Sequence, residues 1–152
     1  MVEICLYEPE IAQNTGAIAR LCACFGVVLN IIEPMSFIMS NDKKFKRAGM
    51  DYIPKITIKR HESFDVFKKK YAGNIILFDV KARDIYYDIE YLDGDCLLFG
   101  KESTGVPDNV YNACSNKVRI PMLPGMRSLN LAMCTAIGLS EAVRQLSKNC
   151  TS

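Results

Sequence analysis

Three segments of the chain combine glycine or proline with polar side chains, a mixture typical of ligand-binding loops. They are PEIAQNTGAIAR (residues 9–20), FGKESTGVP (99–107) and IPMLPGMRSLN (120–130). Glycine lets the backbone approach a flat ligand closely, and Glu102 stands between two glycines as a hydrogen-bond acceptor. The chemistry that these segments predict is noncovalent binding of a small, flat molecule.

Two common phosphate-binding motifs are absent from the sequence. The spacing of Gly100 and Gly105 matches the opening of a Walker A motif, but Val106 and Pro107 stand where Lys and Ser or Thr must follow. No predicted strand leads into G-x-G-x-x-G either. The second segment is therefore not a P-loop, and an ordinary turn remains its alternative explanation.

Helix capping competes with ligand binding as the explanation of several polar residues. Asn14 is predicted to cap the amino end of the first helix, and Ser128 that of the last helix. An exposed Asn130 in the first helical turn needs no ligand. Capping explains Arg20 less well than it explains Asn14 or Ser128. Arg20 can belong to a ligand site only if its side of the first helix faces that site.

The elements that must position these segments alternate between apolar strands and amphipathic helices. This alternation predicts an α/β fold, a single domain (residues 1–152) with a mostly parallel sheet flanked by helices. Ligands bind beyond the carboxyl ends of strands in such sheets, so loops that follow strands are where a site is expected. The predicted strands are residues 2–7, 27–32, 53–58, 75–80, 96–99 and 118–120.

The cysteine and hydropathy patterns indicate whether the protein binds a metal and in which part of the cell it is expected. Seven cysteines is an odd number, and four of them lie among apolar residues, as reduced thiols do. No CxxC pair occurs and the single histidine, His61, is far from Cys22 and Cys24, so no zinc site is expected. The amino terminus has no signal-peptide pattern, and the longest apolar stretch is too short to span a bilayer. We therefore expect a cytoplasmic protein with no bound metal and no membrane association.

Basic residues occur in local clusters, although the net charge of +2 is too small to indicate a nucleic-acid partner by itself. Lys43, Lys44, Lys46 and Arg47 surround an aromatic residue, and a second run covers residues 68–70. Such runs are most often solvated helix faces. They are also the candidates for contacts to RNA phosphates.

The three segments, taken together, resemble the motifs of a known enzyme family. NTGAIAR, FGKESTGVP and IPMLPGMRSLNLA, in this order and at these distances, are similar to the three motifs of the SPOUT superfamily of RNA methyltransferases. Further segments, CLYEPEIAQNTG, IIEPM and RAGMDY, resemble its minimal branch, the tRNA (cytidine/uridine-34-2′-O)-methyltransferases. The resemblance covers almost the whole chain.

The resemblance implies S-adenosylmethionine-dependent methylation of the ribose 2′-hydroxyl of the tRNA wobble nucleotide, which lies on the anticodon stem-loop. It also implies a homodimer and a deep trefoil knot in the C-terminal half. Carried onto this sequence, it implies that the cofactor is held by Phe78, Gly100, Glu102, Ile120, Ser128 and Asn130.

The catalytic residues implied by the resemblance are Asn14 and Arg20, with Arg20 facing the cofactor bound to the partner subunit. Arginine stays protonated in proteins. Arg20 is therefore assigned to holding RNA phosphate and to stabilising the negative charge that develops on the acceptor oxygen. Lys101 and Thr104 stand where relatives often have proline and arginine, a difference that bears on RNA contacts.

Three alternatives stay open at this point. The first is a ribose 2′-O-methyltransferase that acts on another tRNA position or on ribosomal RNA. The second is a non-catalytic α/β module that binds RNA or a nucleotide, and the third is a flavodoxin-like binding protein, which would carry a coloured flavin. The first shares the reaction class, whereas the other two do not.

Overall fold

Strands and helices alternate along the chain in the computed structural model, which describes residues 1–149. The strands are β1 (Glu3–Tyr7), β2 (Leu29–Ile32), β3 (Ile58–His61), β4 (Ile75–Phe78), β5 (Asp84–Ile85), β6 (Cys96–Phe99) and β7 (Asn116–Arg119). The α-helices are α1 (Ala12–Phe25), α2 (Lys43–Gly49), α3 (Phe64–Lys70), α4 (Asp108–Ala113) and α5 (Leu131–Asn149), and a 3-10 helix covers Met50–Lys55.

The seven strands form one sheet in the order β3-β2-β1-β6-β4-β7-β5, and every neighbouring pair is parallel. In register, Ile4 of β1 lies between Leu29 of β2 and Leu97 of β6. Strands β2, β4 and β6 are buried along their whole length, as expected when helices cover both faces of a parallel sheet. The predicted α/β class with a parallel sheet is confirmed.

The helices divide between the two faces of this sheet. Ile18 of α1, Phe45 of α2 and Leu139 of α5 join one apolar cluster, whereas Phe67 of α3 and Val110 of α4 join the other. Alternate residues of β1 belong to opposite clusters, because successive side chains of a strand point to opposite faces. We call these the α1 face and the α3 face.

The predicted strand at residues 53–58 is wrong over most of its length. Pro54 lies inside the 3-10 helix, and proline has no N–H to donate to a sheet. The Ile53 side chain packs closely against Gly49: a Cβ added at Gly49 would lie 2.5 Å from it. The strand therefore starts only at Ile58. Strand β5, which the sequence pattern does not predict, has two residues and, among the strands of residues 1–149, pairs only with β7.

The predicted cap at the amino end of the first helix is wrong. Helix α1 begins at Ala12 after an extended Ile11, so Asn14 lies inside the first turn and does not cap it. Gly26 ends the helix in the left-handed conformation, with φ 66°, which glycine adopts without the steric cost of a Cβ.

The predicted cap of the last helix is also wrong. Helix α5 begins at Leu131, and the side chain that caps it belongs to Asn130, not to Ser128. Asn130 Oδ1 accepts hydrogen bonds from the N–H groups of Ala132 at 2.9 Å and Met133 at 3.3 Å. The helix therefore starts two residues later than the sequence pattern indicates.

Two expectations concern the chain as a whole. Within residues 1–149, none of the helices has the length and apolar character needed to cross a bilayer. Strand order alone does not define a knot, so the trefoil knot stays a prediction.

Candidate functional site

A cavity of about 690 Å³ opens beside the carboxyl ends of β4 and β6. All three glycine- and proline-containing segments contribute to its wall, because the loops that follow parallel strands converge at one edge of the sheet. Of the eight catalytic and cofactor-binding residues predicted from the sequence, seven line this cavity: Asn14, Phe78, Gly100, Glu102, Ile120, Ser128 and Asn130.

One carboxylate connects the first segment to the second. Glu102 accepts hydrogen bonds from the N–H groups of Glu10 and Ile11 at 2.9 and 3.2 Å, and from Asn14 Nδ2 at 3.2 Å. The N–H groups at the start of a helix lack partners within it and attract negative charge. Glu102 therefore fixes the entry to α1, a structural role that the sequence pattern does not reveal.

Asn14 extends this connection to the third segment. Its side chain is buried, with 8% exposed, and its Oδ1 accepts a hydrogen bond from Asn130 Nδ2 at 2.9 Å. Since Asn130 Oδ1 already accepts from the start of α5, its amide nitrogen is the group left to face Asn14. Glu102, Asn14 and Asn130 thus form one hydrogen-bonded chain through all three segments, which we call the asparagine chain.

Two further carboxylates hold the second segment against the first. Glu10 accepts hydrogen bonds from the N–H and Oγ of Ser103 at 2.9 and 2.8 Å, and these bonds lower the pKa of Glu10 because they favour its charged form. Lys101 Nζ donates to Glu8 at 2.7 Å, and this bond raises the pKa of Lys101. Lys101 is therefore a protonated, paired side chain at the cavity wall.

The second segment reverses direction within five residues. The N–H of Lys101 donates to the carbonyl of Gly105 at 3.2 Å, and the N–H of Gly105 donates back at 2.9 Å. A Cβ at Gly100 would lie 2.6 Å from the Gly105 backbone, far inside ordinary contact distance. Glycine at residue 100 is thus required by the loop itself, and the loop presents its main chain to the cavity.

Arg20 is the predicted catalytic residue that does not line the cavity. It is exposed on α1, where its Nη1 donates to Met50 Sδ at 2.9 Å and its guanidinium lies 5.4 Å from the centre of the Tyr52 ring. Both partners belong to the RAGMDY segment. The structure therefore places Arg20 with that segment, away from the cavity of its own chain.

The two basic clusters lie on opposite sides of the sheet. The side chains of Lys43, Lys44, Lys46 and Arg47 are exposed on α2, which packs on the α1 face and leads directly into the segment that holds Arg20. Residues 68–70 end α3, which packs on the other face. Only the first cluster shares a face with Arg20.

Some polar residues of the cavity have no counterpart among the predicted ones. Asp79 and Lys81 follow β4 and line the cavity, as does Arg127 of the third segment. Asp79 could have been predicted from the sequence, because it directly follows an apolar strand and the carboxyl ends of such strands carry ligand-binding residues. The sequence pattern draws attention to glycine and proline instead, which this loop lacks.

His61 lies outside this site. It is half-buried, packs edge-on against Phe67, and its Nε2 lies 2.9 Å from Asn30 Oδ1. Burial lowers the pKa of His61 below its ordinary value of 6.5. Within the described residues, no group of three His, Cys, Asp or Glu side chains is arranged to hold a metal ion.

Known proteins resemble the chain over nearly its whole length. The model of the SpoU rRNA Methylase family matches residues 1–140. A tRNA (cytidine(34)-2′-O)-methyltransferase from Beijerinckia indica is 44% identical over 146 residues, which cover 94% of this chain and 91% of the relative.

Two solved structures share the fold. One, on the 2-OH methylation of C/U34 on tRNA, has a TM-score of 0.92 at 37% identity and 97% coverage of both chains. The other is an AdoMet-bound rRNA methyltransferase from Sinorhizobium meliloti, with a TM-score of 0.86 at 26% identity, over 95% of this chain and 56% of that one.

Proposed function

The chain belongs to the SpoU methylase family, and we propose that it methylates the ribose 2′-hydroxyl of the wobble nucleotide of tRNA, with S-adenosylmethionine as the methyl donor. The observation that carries this proposal is the cavity where seven predicted site residues meet. Relatives that match over nearly their full length are named for methylation of cytidine 34, which supports the tRNA position. A family of methylases removes the flavodoxin-like alternative.

The cavity fits a cofactor of this size. Its volume of about 690 Å³ lies within the range of small-molecule sites, about 300–1,000 Å³. Apolar side chains such as Phe78 and Ile120 suit the adenine, and Gly100 leaves main-chain groups within reach of it. When bound, the cofactor would supply a methyl group on a positively charged sulfur; its S–C bond would break as the O–C bond forms, and the proton of the acceptor hydroxyl would pass to solvent.

The residues of this chain contribute position and charge. The asparagine chain holds the three segments in one arrangement, which keeps donor and acceptor aligned for an in-line displacement. Arg20 holds RNA phosphate and stabilises negative charge on the acceptor oxygen. Its partners Met50 and Tyr52 present it at the surface, where RNA has access.

A second copy of the chain completes the site in this proposal. Large apolar side chains stand exposed around the third segment, among them Leu123 (78%), Met126 (63%) and Met133 (59%), and exposed apolar patches mark interaction surfaces. Arg20 does not line the cavity of its own chain. A homodimer covers the patch and brings Arg20 to the cavity of the partner subunit.

Helix α2 provides the RNA-binding surface in this proposal, because its four exposed cations share a face with Arg20. Replacing Lys43, Lys44 and Lys46 by Gln should weaken tRNA binding and flatten its dependence on salt, by a slope of about 0.7–0.9 for each phosphate that is no longer neutralised. The matched control replaces residues 68–70 on the opposite face. An equal effect of both triple variants would contradict this assignment.

We place the activity in the cytoplasm, where tRNA is found.

The experiment that tests the function incubates the protein with radiolabelled S-adenosylmethionine and total tRNA, then maps the labelled nucleotide by nuclease digestion. Label on the 2′-oxygen of nucleotide 34 is the expected result. Label on another tRNA position, or on ribosomal RNA only, would contradict the wobble assignment. Binding of the cofactor without any transfer would favour a non-catalytic RNA-binding module.

Mixing two inactive variants tests the shared site. Arg20→Ala should abolish turnover and keep cofactor affinity, whereas Ser128→Trp should block the cavity, because Ser128 lines it. In a mixed dimer, one site combines the intact Arg20 of one subunit with the intact cavity of the other. Recovery of activity on mixing is expected, and its absence would place Arg20 and the cavity in one subunit.

A further inference from the structure

Asp79 is a cavity residue with an open hydrogen-bonding position. It follows β4 directly, is half-buried, and its Oδ1 accepts a hydrogen bond from the N–H of Lys81 at 2.8 Å. Its Oδ2 accepts no hydrogen bond from residues 1–147, the part of the chain whose side chains the structure describes. That oxygen lies 3.6 Å from the position that a Cβ on Gly105 would take, so it faces the second segment across the cavity wall.

The other acidic side chain of the cavity is already engaged. Glu102 accepts three hydrogen bonds, from Glu10, Ile11 and Asn14. Among the described lining residues, Asp79 is therefore the carboxylate that can still receive a donor from a ligand. No buried side-chain oxygen or nitrogen of the described residues lacks a partner, so Asp79 Oδ2 is open to solvent, and a ligand donor can reach it by taking the place of water.

We propose that Asp79 Oδ2 accepts hydrogen bonds from the ribose hydroxyls of the nucleoside cofactor. This proposal rests on the proposed function, which supplies that cofactor. A carboxylate near the carboxyl end of a parallel strand is a recurrent acceptor for ribose hydroxyls, and a charged acceptor makes the stronger kind of hydrogen bond.

Exposed cations share the cavity wall with Asp79. Lys81, two residues along the same loop, and Arg127 of the third segment are exposed cations at the cavity wall. Positive charges at the cavity wall suit the carboxylate of the cofactor's amino-acid group and disfavour its ammonium group near them. The ribose hydroxyls carry no charge, so the same cations do not repel them.

The test is calorimetric binding of two ligands to the full chain. S-adenosylhomocysteine carries the ribose and the amino-acid group, whereas 5′-methylthioadenosine keeps the adenine and ribose and lacks the amino-acid group. Asp79→Ala should weaken both ligands by the same factor, about 10- to 100-fold. Asp79→Asn, which can keep the bond to the N–H of Lys81, should weaken both less. Asp65→Asn, at an exposed residue on the α3 face, should change neither.

Each outcome decides a different question. Weakening of S-adenosylhomocysteine alone by Asp79→Ala would mean that Asp79 contacts the ammonium group, which overturns the ribose assignment. Unchanged affinity for both ligands in both Asp79 variants would overturn the contact itself. Failure of the unaltered protein to bind either ligand would overturn the proposed function instead, so the two failures are distinguishable. Circular dichroism of each variant checks that it is folded.

Discussion

Replacement of Asn130 tests the asparagine chain at its end. Asn130→Ala removes the cap of α5, with its bonds to Ala132 and Met133, which costs about 1 kcal/mol. It also leaves Asn14 Oδ1 without its donor in a side chain that is only 8% exposed, which costs about 1–3 kcal/mol. The expected loss of unfolding free energy is therefore about 2–4 kcal/mol, nearer the lower end because Asn130 itself is exposed.

A second variant separates the two contributions. Serine is also a good helix cap, but its side chain is too short to span from residue 130 to Asn14. Asn130→Ser should therefore keep the cap, give up the hydrogen bond to Asn14, and be about 1 kcal/mol more stable than Asn130→Ala.

Urea unfolding followed by circular dichroism measures these differences, since the chain has no tryptophan. Protein concentration is held fixed, because association alters apparent stability. The control is Asn112→Ala, at an exposed position of α4, which should change stability little. The reasoning is refuted if Asn130→Ala costs no more than this control, or if the serine and alanine variants unfold together.

Three other predictions concern Arg20, helix packing and pH. Tyr52→Leu should slow methyl transfer about 2- to 5-fold and leave cofactor affinity unchanged, because it removes the cation–π interaction with Arg20. Tyr52→Phe keeps an aromatic ring and should restore the rate. Equal rates for the two variants would contradict a role for this interaction. Gly16→Ala should destabilise the fold by about 1–3 kcal/mol, because its Cβ would lie 2.4 Å from the carbonyl oxygen of Phe45; a melting temperature equal to that of the unaltered protein would refute this. Burial lowers the pKa of His61 in the folded protein. The contribution of His61 to the free energy of unfolding is therefore present above the unfolded pKa of 6.5 and is lost as pH falls through the folded pKa. A midpoint at or above 6.5 in an NMR titration of this single histidine would disprove this prediction.

The sequence predicts those features that depend on local pattern. Strand β6 matches its predicted range, residues 96–99, because a strand buried on both faces is apolar throughout and short. The seven cavity residues follow from motif resemblance, since the motifs lie in loops that the sheet brings together. These predictions need no knowledge of contacts between distant residues.

Other features depend on contacts that no local pattern contains. Asn130 and Ser128 are both good caps, and Asn130 is the one whose side chain also bonds to Asn14 across the cavity wall. Residues 53–58 read as a strand from their β-branched side chains, but Ile53 packs beneath Gly49 of the preceding helix. Asp79 is identified only once the cavity shows which loops line it.

The asparagine chain also has a consequence for synthesis of the protein. Asn14 and Asn130 are separated by 116 positions. At a synthesis rate of about 5–20 residues per second, the ribosome adds Asn130 roughly 6–23 seconds after Asn14. During that interval the nascent chain has a first segment without the third and cannot close the cavity. The hydrogen bond that connects the first segment to the third can therefore form only after residue 130 has been added.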